Sequence, residues 1–559
     1  MATDKTQLDP LFIDDFSGGV KRGVSRYKMP ENTSSYAVNF LFDEEVGKAI
    51  VRKGTSMIGS QIINDKPVLG LFNVRRRADT NNSLIAVLSD GTNNDIYTYG
   101  AWAKSLEDDT KDLKTRFVSF LDNVLRVNGT DAAKSWDGAG AWDTTAGVFA
   151  LDKCPLGSFV ENYKDRIHIL NKDGTLYSSS VPRFFLNYDG QTVNFNVGAR
   201  VTGGTSGATG IIYKDTDAGA TGVLELIGIT GTFSNNEAIT DNGETPGAAV
   251  VDGTGSYKLS WTDGYITTLV DPDNGKKGQA TGLGKIGGLL FVFFERAIYT
   301  WNGTSTQADE IIGIGCSSQE SVAVDKTTGV MFFANENGIF MTNGGFPVKI
   351  SRWVDEFFSN MSSANYQHIA GGCDGKHYFC SIGNVTIDGK SISNVVLRYT
   401  ISSQEWAVLS YPTQPRVFSQ YISTNDVYLI YGDNDGNVIQ IDSSAENDAY
   451  AALTSQPIAY EIQTKDYFDD FIGMTKAIKN RIISSTEKSS GAKLYYRTNS
   501  NNNRQEDWAS VGEIKNEIEE FKINGITYKV IRFKIAGVST TGRFKLECLE
   551  IPDRIINGY

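Results

Sequence analysis

The sequence predicts an all-β protein: a β-propeller with a small inserted β domain and a C-terminal β-sandwich-like domain. Three observations carry this expectation. Glycine is abundant (57) while proline is scarce (12). Phe (29) and Tyr (25) are plentiful against 7 Met. Apolar segments recur along the chain with Asp-Gly or Asn-Gly between them. Glycines and aromatics in this combination read as short strands joined by tight turns. The 559 residues exceed one ordinary domain, and a composition 40% hydrophobic and 21% charged is that of a folded chain rather than a disordered one.

Residues 1–59 form an N-terminal arm and first strands. Residues 60–184 hold the first propeller blades. There Leu84 to Leu88 turns through Asp90-Gly91 into Ile96 to Tyr99, Asn123 to Val127 turns at Asn128-Gly129 toward Trp136, and Arg166 to Leu170 turns at Asp173-Gly174 into Thr175 to Tyr177. These turns need positive φ, which makes Asp-Gly and Asn-Gly strong hairpin signals. Residues 185–256, rich in Gly and Thr, read as the inserted domain. It carries its own repeat, Phe195 to Thr202 with Gly207-Ala208, then Phe233 to Thr240 with Gly247-Ala248. The hairpins resume over 257–455: Leu289 to Phe294 with Ala297 to Trp301, Val330 to Ala334 with Ile339 to Met341, His377 to Cys380 with Val395 to Tyr399, and Val427 to Tyr431 with Val438 to Ile441. About seven units at a spacing of roughly 40 to 55 residues fit a propeller, with stacked sandwiches as the alternative. Residues 456–559 change texture and read as a separate sandwich. Helix is scarce; Trp353 to Asn360 is the clearest case, with Ser351 as N-cap.

No apolar run reaches the length of a membrane-spanning helix, so no membrane insertion is expected, and Met1 to Lys5 lacks the apolar core of a signal peptide. Five cysteines, odd in number and widely spaced, read as free thiols of a reducing cytoplasm. Three histidines leave little for metal or triad chemistry, and His168 sits in an alternating strand as a structural residue. Phosphate-loop and nucleophile-elbow motifs are absent. Asp433-Asn434-Asp435-Gly436-Asn437 and the pair Asp271 and Asp273 lack the ligand ladder of a calcium loop, and the first reads as a plain turn. Trp136-Asp137-Gly138 and Asp263-Gly264 lack the full spacing of glycosidase blade turns. No catalytic residue, cofactor or metal is therefore assigned. A net charge of −13 disfavours sequence-specific DNA binding. The basic clusters Lys21, Arg22 and Arg26, and Arg75, Arg76 and Arg77, read as a solvated or subunit-contacting face.

Phe16-Ser17-Gly18-Gly19-Val20, Met29-Pro30-Glu31-Asn32, Ala37-Val38-Asn39-Phe40, Gly47 and Arg52-Lys53-Gly54 form an ordered series. It resembles the opening of the tail tubular protein B, or nozzle, family of short-tailed bacteriophages. Gly287 to Tyr299, Ile314-Gly315-Cys316 with Ser321-Val322, Asn337 to Phe340, and Tyr460 with Thr464 and Asp466 continue it. The likeness is spread over most of the chain outside the insertion, which resembles small β modules of virion proteins. It implies a non-enzymatic structural protein of the virion tail, made in the host cytoplasm. By the same resemblance it would form a homo-oligomeric ring, a hexamer, under a tail adaptor or gatekeeper protein. Tail fibres are a further partner, and the ring would gate a channel through which viral DNA passes without specific binding. The interface residues expected on this reading are Phe16, Gly18, Gly19, Lys21, Arg22, Arg26, Arg75, Arg76 and Arg77, with the exposed arm and the insertion as contact elements. A propeller-fold virion glycosidase or depolymerase, and a receptor- or glycan-binding module, are the alternatives.

Overall fold

The Asp-Gly turns fold as hairpins because their glycines reach the left-handed region, with Gly91 at φ 98° and Gly174 at φ 93°. The Asp173 carboxylate accepts the Thr175 N–H at 2.8 Å and pins that turn. The structure, a computed structural model, describes residues 7–75, 83–138, 141–143, 148–268, 277–303, 309–423, 426–441, 444–450, 453–468, 474–479, 481–488, 491–499, 507–523, 525–539 and 542–556.

Hairpins extend into seven small antiparallel sheets among the described residues. Their innermost strands are Val68–Val74, Arg116–Phe120, Phe159–Tyr163, Ala280–Ile286, Ala323–Asp325, Ala370–Cys373 and Pro415–Ile422. Each of these strands touches the next, and the last touches the first, so the sheets are the blades of a closed seven-bladed propeller. Ring closure uses an early piece of chain. Ser56–Met57 is the outermost strand of blade 7, with Met57 opposite Ile439.

The core lies in the seams between blades, where the aromatic surplus goes. Phe72 stacks on Phe117 across blades 1 and 2 (5.6 Å), Phe293 meets Phe333 across blades 4 and 5 (5.1 Å), and Phe332 stacks on Tyr378 across blades 5 and 6 (4.8 Å). Glycine has a second use here beyond turns. A Cβ on Gly432 would lie 2.5 Å from Val68 of blade 1, and one on Gly372 would lie 2.7 Å from Phe418 of blade 7. Blade approach requires their missing side chains.

The insertion is a closed six-stranded barrel running from Arg183–Val193 to Ala248–Lys258. It enters blade 3 between the strand Thr175–Ser178 and the outermost strand Tyr265–Thr268. Its core is its own, built on Leu186, Tyr188, Val201, Leu224, Phe233 and Ile239. The two sequence repeats supply adjacent strands, with Thr202 opposite Thr240.

The C-terminal unit packs two main sheets. One runs Tyr36–Val38, Ile458–Gln463, Val530–Ser539, Lys493–Asn499 and Ala509–Glu513; the other includes Phe40–Leu41, Ala49–Val51, Lys545–Ile551, Arg481–Lys488 and Ile518–Lys522. The segment expected as an N-terminal arm with first strands pairs into this unit, although residues 7–12, 14 and 15 stay exposed or half-buried. Gln7–Leu8 pairs with Arg554–Ile556 and Leu11–Ile13 with Lys545–Ile551. The physical reason is apolar content: Tyr36, Ala37, Phe40, Leu41, Ala49, Ile50 and Val51 are buried and complete sheets whose other strands come from the far end of the chain. That core is continuous with blades 5 and 6, through Phe332, Tyr399 and Trp406.

The expected helix shrinks to Asp355–Ser359, preceded by a turn of tighter helix over Ser351–Trp353. Ser351 is buried and does not cap it; its hydroxyl donates to Asp355 and accepts the Ile339 N–H. No helix among the described residues is long and apolar enough to cross a membrane.

Candidate functional site: a basic cavity on the propeller axis

The N-terminal interface residues expected from sequence, Phe16 to Arg26, form an internal joint. Phe16 is 2% exposed, and the N–H of Val20 donates to the Trp406 carbonyl of blade 6. A Cβ on Gly19 would lie 2.7 Å from that same carbonyl oxygen, and one on Gly18 would lie 2.5 Å from Thr33. Arg22 is buried; it bonds Glu356 at 2.8 Å and Asp388 at 3.0 Å, and Arg26 shares Asp388 at 2.9 Å. Burial opposes the Arg22 charge, but its hydrogen bonds to Glu356 and Asp388 outweigh it and hold the guanidinium above its ordinary pKa. Lys21 lies over the Trp353 ring. Phe16, Gly19 and Arg22 are therefore buried within the chain rather than on an exposed face, while Gly18 is half-buried. Arg75 is exposed beyond the end of a blade 1 strand, and Arg76 and Arg77 lie outside the described residues.

Two further clusters complete this joint. Arg52, 1% exposed, donates to both carboxylate oxygens of Asp448 (2.8 and 2.6 Å) and to Asn39, and its guanidinium stacks on Tyr411 at 4.4 Å. His377 sits between Asp374 (2.8 Å) and Asp43 (2.6 Å), with Arg398 also on Asp43 at 2.7 Å. Burial works against charge on His377, but the hydrogen bonds to Asp374 and Asp43 win and raise its pKa. Burial likewise opposes the Asp43 carboxylate, yet His377 and Arg398 pull it down to about 2.

Other sequence candidates resolve locally. His168 is fully buried, bonded to Ser178 at 2.8 Å and near the Tyr163 carbonyl at 3.2 Å; burial pushes it down to about 4, so its imidazole is neutral. The Asp433 carboxylate accepts the N–H groups of Asp435 and Asn437 and the Asn437 side chain, which closes the turn on itself. Asp263 pairs with Arg183 at 2.7 Å. Asp271 and Asp273 lie outside the described residues.

The concave site is elsewhere. A cavity of about 430 Å³ opens on the propeller axis, at the end where the innermost strands begin. Six blades, or the linkers just ahead of them, line it. Lys114 and Arg116 come from the approach to blade 2, Lys172 from a blade 3 turn, and Arg416 from the start of blade 7. Glu320 and Asp112 are the carboxylates among the lining residues. The Glu320 side chain is 8% exposed and already engaged by Lys114 (2.6 Å) and Arg116 (2.8 Å). Burial alone would raise its pKa, but the charges of Arg116 and Lys114 hold the carboxyl far below the usual range.

Arg416 is different. Its Nε and Nη1 are shielded from solvent without a hydrogen-bond partner, and no described carboxylate pairs with it. Burial lowers its pKa. It presses on its neighbours: burial first, then Arg416 and Lys114, push His368 down to about 4. Lys114 is lowered too, by burial and then by the charges of Arg116 and Arg416 against the pull of Glu320. Four cations and two carboxylates thus share one partly desolvated space with a neutral histidine. Such a site attracts anions.

Sequence reasoning missed this cavity because its residues come from segments 300 positions apart, each unremarkable alone. The one signal was placement: Arg116 and Arg416 are the first and second residues of innermost strands, the positions a propeller aims at its axis.

No family model matches the chain, and no curated protein matches it. Among solved structures it is similar to one described as YCF48 bound to D1 peptide, at 9% identity and a TM-score of 0.35, covering 70% of this chain and 98% of that one. It is also similar to YCF48 from Cyanidioschyzon merolae, at 9% identity and a TM-score of 0.28, covering 69% and 98%. Likeness at this level carries no argument; the blades are read from the sheet pairings alone.

Proposed function

We propose that this chain is a structural subunit of a ring on the tail of a short-tailed bacteriophage, surrounding and gating the channel through which DNA leaves. The ordered N-terminal series from Phe16 to Gly54 carries the reading. Those residues form one block that joins the sandwich to blade 6, through the Val20–Trp406 bond and the bond from Arg52 to the Ser410 carbonyl. A subunit of a force-bearing ring needs domains that move as one body, and this joint is suited to that. Blade edges in a propeller are short and protected, which leaves loops and the inserted barrel for contacts with neighbours.

Net −13 per subunit favours a conduit that repels phosphate rather than adsorbing it. Electron microscopy of the purified full chain tests the reading: closed six-membered rings, alone or with an adaptor, are expected, and a strictly monomeric particle at all concentrations would overturn it. Retention of duplex DNA at physiological salt would remove the conduit argument.

The glycosidase alternative needs a carboxylic acid with a raised pKa to protonate a leaving oxygen. Glu320 has the opposite environment, since two cations hold it ionised. The axial cavity instead keeps open the binding-module alternative.

A further inference from the structure

We infer that the axial cavity is a binding site for a phosphate monoester dianion, either free phosphate or a phosphoryl group on a small organic molecule. Nothing in the ring reading requires this site, so the two stand or fall separately.

Charge comes first. Lys114, Arg116, Lys172 and Arg416 face Asp112 and Glu320, which leaves a surplus of two positive charges among the lining side chains. A phosphate monoester carries about −1.5 to −2 near neutral pH, whereas a single carboxylate would leave the site cationic. His368 adds no charge, because burial and its cationic neighbours keep it neutral.

Donors come second. Lys114 is occupied by Glu320 and the Gln367 carbonyl (2.6 and 2.7 Å), and Arg116 by Glu320 and the Ser158 carbonyl (2.8 and 2.9 Å). Among the described residues Arg416 donates to nothing; its Nε and Nη1 are shielded from solvent, so its Nη2 is the donor left to meet a ligand. A guanidinium with no counter-charge, beside a lysine and a second arginine, is unfavourable in a folded chain unless something offsets it. Guanidinium and ammonium groups together are the usual donors to phosphoryl oxygens. Lys172 is exposed at the mouth and unpaired among the described residues, placed to meet an incoming anion.

Size comes third. The cavity is much larger than a bare ion, and Pro67, Val68, Leu69 and Val417 give it an apolar wall. An organic body on the phosphoryl group has room and surface to pack against.

Calorimetric titration and thermal melting of the full chain, at constant ionic strength with chloride as the baseline, test this. Inorganic phosphate is expected to bind saturably with a Kd of about 1 mM or tighter. Arg416→Gln is expected to bind at least about tenfold more weakly and yet to melt at a higher temperature without phosphate, because the unpaired charge is gone. Lys172→Gln, an exposed change that leaves the fold untouched, is expected to weaken binding as well and keeps the test valid should Arg416→Gln fail to fold. Glucose 6-phosphate separates the sources: tighter binding than inorganic phosphate assigns a phosphorylated small molecule, and equal binding assigns free phosphate. Absence of saturable binding, unchanged affinity in both variants, or equal affinity for acetate would overturn the proposal.

Discussion

Arg52 shows at the residue scale how one side chain can hold two units together. Its guanidinium joins the N-terminal block to Asp448, just past the last blade, while Tyr411 covers its face. Removing one partner of such a pair strands the other charge, so Arg52→Ala is expected to lower unfolding free energy by about 3–5 kcal/mol, measured by urea denaturation. Arg52→Lys keeps the charge but loses the paired geometry, and its loss should be smaller. The His377 cluster gives a pH dependence. Its pKa is raised in the folded state, so its contribution is complete below the unfolded histidine value of about 6.5 and is lost as pH rises through the folded value. The melting-temperature gap between the wild type and His377→Gln should therefore shrink from pH 6 toward pH 9; a gap that widens would contradict the assignment. Asp43 acts in the opposite direction. Its pKa is pulled down to about 2, so its contribution holds above the unfolded Asp value and fades as pH falls toward 2. The Asp43 partner could not be read from sequence, because it lies 334 positions from His377 and the two meet only through the fold.

Strands and turns, the next scale up, were largely legible. Each hairpin named by an Asp-Gly, Asn-Gly or apolar run pairs as its pattern implies, such as Leu88 with Asp95 and Leu170 with Leu176. Periodicity and turn chemistry are local properties, and a single sequence displays them. What stayed hidden was which strand completes which sheet. Tyr36–Val38 and Ala49–Val51 look like any short apolar strands, and only burial against Ile458–Gln463 and Lys545–Ile551 makes them part of the sandwich. The structural glycines at blade seams were hidden for the same reason. Gly432→Val would press a side chain into Val68 and is expected to cost about 1–3 kcal/mol, read as a lowered melting temperature with blades 7 and 1 losing amide protection first. The barrel should behave in the reverse way. It has a separate core, and its two connections meet where the Ser180 N–H donates to the Ser260 carbonyl at 2.7 Å. Replacing residues 183–258 by a two-residue turn should leave a cooperatively melting propeller; a chain that no longer folds would show the barrel to be integral to blade 3.

For the whole molecule, charge and architecture point in different directions at different places. The chain is acidic overall, while its axial cavity gathers cations. A net charge sums over the surface and hides such local reversals, which is why −13 said nothing of the cavity. If the chain forms the proposed rings, they should loosen as salt falls, because like-charged subunits repel over a longer Debye length; sedimentation across a salt series measures that. If rings tighten at low salt, the contacts are charge-complementary despite the net value.

The pairing of Leu8 with Arg554 and of Ala37 with Ile462 ties early strands of the sequence to late ones. On a ribosome this becomes a matter of timing. The strand Tyr36–Val38 emerges early and must wait for Ile458–Gln463 to be made, which at ordinary elongation rates is on the order of a minute. The sandwich cannot close on a product that stops before Lys545–Ile551 and Arg554–Ile556. Such a product would expose the apolar strands meant for their missing partners and be open to degradation.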